Sequence, residues 1–310
     1  MRELLERRVV LITGKGGVGR TSVAAAAADV AARAGRRVLL TDLGDEGDDY
    51  SPLARCYGRE RFGPEPEPLA KNLHGALLLP RAGQQLFLRT VLRSATLARA
   101  ALSSDALSRL MSAGPSFREM GLFFQLLTFL RSRHPDGSPT WELVVIDMPA
   151  TGHALALTGL PAVLLRLVSR GPIADALREG QSLLNDPKTG AAFVVTLPET
   201  LPVSESLELL EGLARTSMPA AGVVVNRVPE DPFTPAERAL LAPGIARVRP
   251  FGAEAFARPG AARREIARLA AATHLPLTEI PERPLHGAAL RAMIGEALLA
   301  GPTRPAQAAA

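Results

Sequence analysis

The sequence predicts an α/β protein in which a mostly parallel β-sheet is flanked by helices on both faces. Short apolar runs alternate with helical stretches along the 310 residues, as they do in doubly wound sheets. The first run, RRVVLIT, stops at a Gly-rich turn, after which an Ala-rich helix extends to Gly35. A second run, RRVLLTD, completes a strand–helix–strand unit, whose crossover we expect to be right-handed.

The later part of the chain continues this alternation. Further strands are predicted at 142–147, 191–197, 222–226 and 275–280, with helices between them, for example at 204–215. Alternation of this kind implies a mostly parallel sheet that is covered on both faces.

One region departs from the alternation. After the Pro-rich loop GPEPEP, two helices at 84–112 and 117–131 form a helical insertion on the sheet. Apolar side chains in the second helix recur at helical spacing, and they either belong to the core or line a groove for an apolar helix: Met120, Phe123, Phe124, Leu127 and Leu130. We expect one domain over residues 1–300 and a disordered tail at 301–310.

Composition restricts the class of protein. Apolar residues make up 47% and charged residues 22%, which is ordinary for a globular protein. No apolar run reaches the ~18 residues of a membrane span, and the start does not resemble a secretory signal. We therefore expect a cytoplasmic protein. The single cysteine, Cys56, speaks against a disulfide framework, a zinc site and a multi-thiol arsenite site. The net charge of +5 comes from scattered arginines, so a nucleic acid or membrane partner is not favoured.

A phosphate-binding loop is predicted between the first strand and the first helix. Its spacing is G-x-x-x-x-G-[K/R]-[S/T], with Arg20 where such loops have lysine. Glycines let backbone N–H groups curl around a phosphate, the helix start adds a positive dipole, and the Thr21 hydroxyl can bind Mg²⁺. The fold class is thus that of a P-loop NTPase, with these loop residues: Gly14, Lys15, Gly16, Gly17, Val18, Gly19, Arg20, Thr21 and Ser22.

The loop KGGVGRT resembles the deviant Walker A box of the family that includes MinD, ParA, the nitrogenase iron protein and the ArsA-type ATPases. That resemblance implies an ATP-sandwich dimer in which Lys15 reaches the phosphates of the ATP held by the partner. Lysine is scarce here, with only Lys15, Lys71 and Lys188, so its presence at this position is informative.

The stretch WELVVIDMPATGHAL narrows the resemblance to the ArsA type. Four apolar residues lead to Asp147, a Walker B carboxylate that holds Mg²⁺ through water. The residues after Asp147 are similar to the ArsA-type switch II, and Thr151, Gly152 and His153 match it position for position.

Three later stretches resemble ArsA-type segments: NDPKTGAAFVVTLPETL, VVVNRV and IPERPLHG. By this resemblance Asn226 would hydrogen-bond the adenine, and Pro281 and Glu282 would lie at the nucleotide. The resemblance implies ATP and Mg²⁺ as cofactors, a homodimer or a heterodimer across the nucleotide, and an unknown protein client or partner. No C-x-x-C occurs at 228–275, so the zinc-clasped dimer of one branch is not expected.

Two departures affect the predicted chemistry. Arg20 keeps the charge of the usual lysine but is longer and planar, so we expect nucleotide binding with slowed hydrolysis or altered geometry. In switch I, the ungapped alignment puts Gly44 where the family has its water-orienting aspartate. A strand shorter by two residues would give that role to Asp42 instead. Asp42 is predicted at the Mg²⁺ and γ-phosphate under either alignment, with Asp45 second.

Three functions remain open from the sequence. The first is a dimeric switch ATPase of the ArsA type, with Lys15, Arg20 and Asp42 as catalytic residues and Thr21, Asp42 and Asp147 at the metal. The second is a weakly hydrolysing or non-hydrolysing subunit of a heterodimeric ATPase. The third is a positioning ATPase similar to MinD and ParA, which the last helix supports poorly because it has no cationic face.

Overall fold

The computed structural model describes residues 6–92, 115–149 and 151–304. In these ranges the strands are β1 (Val9–Gly14), β2 (Val38–Leu43), β3 (Glu67–Ala70), β4 (Leu73–Leu78), β5 (Leu143–Asp147), β6 (Gly190–Thr196), β7 (Ala220–Val228) and β8 (Leu277–Pro281). The described strands form one sheet in the order β3-β4-β2-β5-β1-β6-β7-β8. All neighbours pair in parallel except β3, which runs antiparallel to β4 at one edge.

Helices connect the strands. They are α1 (Arg20–Arg33), α2 (Pro52–Arg55), α3 (Pro80–Leu92), α4 (Pro115–Arg131), α5 (Thr151–Leu167), α6 (Pro172–Asn185), α7 (Thr200–Arg215), α8 (Pro235–Val248), α9 (Ala253–Ala272) and α10 (Gly287–Ala300). None of the helices in the described ranges is long and apolar enough to cross a membrane.

The sheet separates two apolar layers, because successive side chains of a strand point to opposite faces. In β1, Val9 and Leu11 belong to the layer that includes residues of α4 to α7 and α9, whereas Val10 and Ile12 belong to the layer that includes residues of α1 and α10. Alanines line the buried side of α1, so this helix lies close to the sheet and its start is fixed beside the end of β1.

The α/β prediction is confirmed, and all six strands predicted from the sequence are present. Strands β3 and β4 were not predicted. The five apolar side chains of α4 that were open to two interpretations are core residues, each at most 4% exposed. Of the predicted helical insertion, 84–131, the structure describes α4 and the part of α3 from residue 84 onward, while 93–114 lies outside the described residues.

The first four residues of the predicted disordered tail, 301–304, lead to a contact with β8. Arg304 pairs with Leu277 of β8 through backbone hydrogen bonds of 2.9 and 3.2 Å, and the Thr303 hydroxyl donates to the Leu277 carbonyl at 3.1 Å. The unpaired edge of β8 supplies these partners, and this edge was not foreseen from composition. Residues 305–310 of the predicted tail lie outside the described residues.

Candidate nucleotide-binding site

The loop at 14–19 joins β1 to α1 and has the shape of an anion cradle. Gly14, Gly17 and Gly19 have φ values of 151°, 80° and 93°, which favour glycine. A Cβ on Gly19 would collide with the Asn226 amide, and a Cβ on Gly14 would collide with the Val195 carbonyl. The loop is therefore held against β6 and β7 at the two positions where it starts and ends.

Space for an anion lies on the other side of this loop. A Cβ on Gly16 or Gly17 would meet nothing within 4 Å, so the loop backbone is open to a bound group there. None of the described side chains caps the start of α1, which leaves its first N–H groups without a side-chain acceptor. N–H groups and a helix dipole that converge on open space fit a phosphate.

Two carboxylates lie side by side at the carboxyl ends of neighbouring strands. Asp42 of β2 and Asp147 of β5 are register partners in the parallel pair, and they are 8% and 5% exposed. Both border a cleft of about 330 Å³ that also reaches the start of α1 and the acidic loop after β2. Its lining includes Arg20, Thr21, Asp48, Asp49, Ser51 and Pro149.

Burial of two like charges raises the pKa of both groups. For Asp147, burial first and the Asp42 charge second raise the pKa to about 7, against the lowering effect of a hydrogen bond from the Thr21 hydroxyl and of the Arg20 charge. Burial also raises the pKa of Asp42. Carboxylate pairs of this kind are stabilised by a cation. Two carboxylates and a hydroxyl are oxygen ligands, and they fit Mg²⁺ held together with substrate phosphates.

Ser51 fixes the Asp42 carboxylate and was missed by sequence reasoning. Its hydroxyl donates to Asp42 Oδ2 at 2.7 Å and accepts from the Ala54 N–H at 3.1 Å, so it also caps α2. The Leu43 N–H donates to Asp42 Oδ1 at 2.8 Å. The Ser-Pro pair at 51–52 is a recognisable helix start, but nothing in the sequence links it to Asp42.

Arg20 lies at the first position of α1 and its guanidinium is half-buried. Nη1 donates to the Met148 carbonyl at 2.7 Å, one residue after Asp147. Burial lowers the pKa of Arg20, and the nearby Asp147 and Asp42 charges oppose that shift. The arginine therefore bridges the phosphate loop and the segment that follows β5.

Comparison with known proteins agrees with this geometry. The family model for anion-transporting ATPases of the ArsA type matches residues 7–175, more than half of the chain. The chain belongs to the ArsA-type ATPase family. It is 30% identical over 229 residues to ATPase BagA of Mycobacterium tuberculosis, an alignment that covers 71% of this chain and 65% of that protein.

Two other relatives align with this chain over a smaller share of their own sequences. A Streptomyces coelicolor protein, SCO2128, is 36% identical over 166 residues, or 53% of this chain and 39% of that protein. The arsenical pump-driving ATPase of Acidiphilium multivorum is 26% identical over 229 residues, or 71% of this chain and 35% of that protein. The chain thus spans 65% of BagA and about a third of the pump ATPase.

In this ArsA-type chain the lysine of the loop forms an ion pair within the same subunit. Lys15 Nζ lies 3.1 Å from Glu205 Oε1 of α7, a pairing that the sequence did not predict. The two side chains are 36% and 25% exposed. The reach of Lys15 into a second subunit stays a prediction.

Asn226 lies at the end of β7 beneath the phosphate loop and is 6% exposed. Its Nδ2 donates to the Val18 carbonyl at 2.8 Å, and its Oδ1 accepts from the Arg227 N–H at 3.0 Å. In this arrangement the amide supports the loop. One N–H of the amide remains for the predicted hydrogen bond to adenine, which stays a prediction.

The remaining predicted residues lie along the same edge of the sheet. Pro281 ends β8, and the Glu282 N–H donates to the Val228 carbonyl at 2.9 Å, while the Glu282 carboxylate pairs with Arg258 at 2.7 Å. Thr151, Gly152 and His153 form the first turn of α5, and Ser22 is the third residue of α1.

The acidic loop after β2 contacts the helical insertion. Asp45 pairs with Arg118 of α4, and the Arg81 N–H at the start of α3 donates to Glu46 Oε1 at 2.6 Å. The cleft reaches Gly44, Asp48 and Asp49. Asp42 lines the same cleft. Its predicted place at the Mg²⁺ and γ-phosphate stays a prediction, as does the choice of a water-orienting group between Asp42 and Asp45.

Proposed function

We propose that this chain binds ATP with Mg²⁺ and hydrolyses it, and that ATP closes two subunits over the nucleotide while hydrolysis reopens them. The observation that carries this proposal is the buried pair Asp42–Asp147 next to Thr21 and the phosphate loop. Membership of the ArsA-type family supports it, because two of the three relatives named above, BagA and the arsenical pump-driving protein, are ATPases. We also propose a cytoplasmic location.

The loop residues would bind the triphosphate and align it. Backbone N–H groups at Gly16, Gly17 and the start of α1 would donate hydrogen bonds to the β- and γ-phosphates. Arg20 would donate to the oxygens of these phosphates after it leaves the Met148 carbonyl. Arg20 therefore exchanges a neutral acceptor for a charged one when nucleotide binds. This exchange would alter the backbone at Met148, just before the first turn of α5.

The carboxylates would hold the cation and direct the water. Thr21 and Asp147 would hold Mg²⁺, Asp147 through water, and a bound Mg²⁺ supplies positive charge that neutralises the phosphates as the bond to the γ-phosphate breaks. Asp42 accepts a hydrogen bond from water and so orients it toward the γ-phosphate. The Ser51 hydroxyl and the Leu43 N–H keep the Asp42 carboxylate in one orientation.

A second copy or a related subunit would complete the site through Lys15, and a protein client would bind in a nucleotide-dependent way. The links from Asp45 to Arg118 and from Glu46 to the Arg81 N–H support a route by which the acidic loop moves α3 and α4. The arsenical role of one relative is not proposed for this chain, because a multi-thiol site needs more than the single Cys56.

A second candidate function is a nucleotide-binding subunit that hydrolyses ATP weakly and acts on a partner ATPase. It is favoured by Arg20 at the lysine position and by the hydrogen bond that holds its guanidinium on the Met148 carbonyl. A guanidinium is larger than an ammonium and is preorganised for two acceptors, so its fit between β- and γ-oxygens differs.

Nucleotide binding and hydrolysis in the same set of variants would separate the two. Binding of a fluorescent ATP analogue and steady-state phosphate release are measured for wild type, Arg20→Lys and Asp42→Asn. Asp175→Asn, which changes an exposed carboxylate on α6, is the control. Hydrolysis that Asp42→Asn abolishes supports the switch ATPase. Binding without hydrolysis, unchanged in Arg20→Lys, supports the weak subunit, and absence of binding overturns both.

A further inference from the structure

The ion pair between Lys15 and Glu205 joins two elements that are far apart in sequence. Lys15 follows β1 in the phosphate loop, and Glu205 lies in the second turn of α7, which begins soon after the neighbouring strand β6 ends. Nζ and Oε1 are 3.1 Å apart, and both side chains keep part of their surface in water. Neither the predicted reaction nor the core requires this contact.

Glu205 is the fixed member of the pair. Its neighbours on α7, Val203 and Ser206, are buried against the rest of the chain. The first turn of α7 is also fastened to α9, because Arg268 donates to the Thr200 carbonyl at 2.8 Å and to Ser204 Oγ at 3.0 Å. Because these contacts hold α7 in place, the Glu205 carboxylate cannot follow Lys15 if the lysine side chain moves.

Lys15 is the movable member. Its side chain is long and 36% exposed. The next two residues, Gly16 and Gly17, have open space beside them, because a Cβ added to either would meet nothing within 4 Å. A lysine ammonium is a compact charge on a flexible stem, so it can exchange one acceptor for another without rearranging the backbone.

We infer that Glu205 is a positioning residue that holds Lys15 on its own subunit and must release it when two copies of the chain close over ATP. The inference rests on the proposed function, in which Lys15 acts on the partner's nucleotide. Glu205 then sets how readily the dimer forms, because every closure breaks this pair before Lys15 reaches a phosphate. We call the pair the lysine latch.

The exposure of the latch matches such a role. Partly exposed ion pairs are weak, so a triphosphate, which carries more negative charge than one carboxylate, can outcompete Glu205 for the ammonium. A symmetric dimer breaks two latches. If each latch lowers the equilibrium constant for closure by about threefold, which is within the range measured for exposed ion pairs, loss of both latches lowers the dissociation constant of the dimer by about tenfold.

The first part of the test observes Lys15 directly. Because the chain has three lysines, reductive ¹³C-dimethylation gives three lysine NMR signals beside that of the α-amino group, and methylation keeps the charge. Lys15→Arg assigns one signal. We expect Glu205→Gln to move that signal in nucleotide-free protein, and Glu208→Gln to leave it in place. Glu208 is the matched control because it is exposed and lies one turn further along α7.

The second part measures self-association by sedimentation velocity with Mg²⁺ and a non-hydrolysable ATP analogue. We expect Glu205→Gln to dimerise at about tenfold lower concentration than wild type, from two latches of threefold each. Glu208→Gln should match wild type. Lys15→Ala should gain nothing from the added Glu205→Gln change, because the latch acts only through the lysine.

The outcomes distinguish failure of the latch from failure of the proposed function. A wild-type chain that binds the analogue but never self-associates overturns both the proposed closure and the latch. A wild-type chain that dimerises while Glu205→Gln and Glu208→Gln behave alike overturns the latch alone. Stronger association of Lys15→Ala/Glu205→Gln than of Lys15→Ala would also overturn it, because Glu205 would then act on the interface without the lysine.

Discussion

The two sides of the phosphate loop hold their charged groups in different ways. On the β2–β5 side, Asp42 and Asp147 are almost completely buried at the ends of paired strands. On the β6 side, Lys15 and Glu205 meet with both side chains partly in water. Under the proposed function, the groups that keep one geometry through the reaction lie on the sheet, whereas the group that changes partners is held by a weak, solvated contact.

The largest expected effect concerns the stability cost of the buried carboxylates. The pKa of Asp147 is raised from 3.8 to about 7, so the folded chain binds its proton more tightly than the unfolded chain does. Wild type should therefore lose stability as pH rises from about 4 to 7, by up to about 4 kcal/mol at ~1.36 kcal/mol per pKa unit. Asp147→Asn should lose only the part that the raised pKa of Asp42 contributes.

Urea unfolding between pH 4.5 and 8, without Mg²⁺ or nucleotide, checks this difference. We expect Asp147→Asn to be the more stable protein above pH 7 and to approach wild type near pH 4. Asp175→Asn serves as the exposed control. Parallel pH profiles for wild type and Asp147→Asn would show that the burial of Asp147 carries no such cost.

The same substitution should slow hydrolysis. Under the proposed function, loss of the Asp147 charge removes a group that would hold the cation, and removal of one preorganised electrostatic group typically costs about 10²- to 10³-fold in rate. Phosphate release at saturating ATP measures the loss, and binding of nucleotide without Mg²⁺ should change little. A variant that is both more stable and less active would identify a functional residue, and full activity would remove Asp147 from the metal site.

A smaller effect is expected at Ser51. Ser51→Ala removes the donor to Asp42 Oδ2 and the cap of α2, which together should cost about 1–2 kcal/mol of stability. Hydrolysis should fall less than in Asp42→Asn, because the Leu43 N–H still orients the carboxylate. Thermal unfolding and phosphate release are the measurements. Ser51→Thr keeps the hydroxyl and should recover most of both, so equal losses in the two variants would contradict the assignment.

The smallest effect on stability should come from the lysine latch. Glu205→Gln should change the free energy of unfolding by about 0.7 kcal/mol or less, the equivalent of about threefold in an equilibrium constant, because exposed ion pairs contribute little to folding. Urea unfolding of Glu205→Gln beside Glu208→Gln tests this. A large destabilisation in Glu205→Gln alone would show that the pair stabilises the fold. The two sides of the loop would then not differ in the way described above.

Much of the fold was predictable because parallel strands have a strong local signature. Apolar runs predicted six strands, and motif order placed Asp42 and Asp147 at strand ends, where the parallel register brings them together. Strands β3 and β4 were missed because β3 has four residues and contains Pro68, and because β4, with Gly75 at its centre, lacks the alternation of a one-sided strand.

The contacts of the site were less predictable than its members. Ser51 reaches Asp42 across a loop, Arg118 reaches Asp45 from α4, and Glu205 reaches Lys15 over 190 positions of sequence. Such pairs depend on where helices dock, and one sequence carries no pattern for docking. The amide of Asn226 illustrates the same limit, since its hydrogen bond to the Val18 carbonyl follows from the closeness of β7 to the loop.

Helix α8 buries none of its residues, and beyond its end Phe251 is fully exposed. The core would therefore remain closed if residues 235–252 were shortened, lengthened or exchanged. A fluorescent reporter or an affinity peptide grafted here should leave the core intact, which makes this segment a suitable place to label the protein.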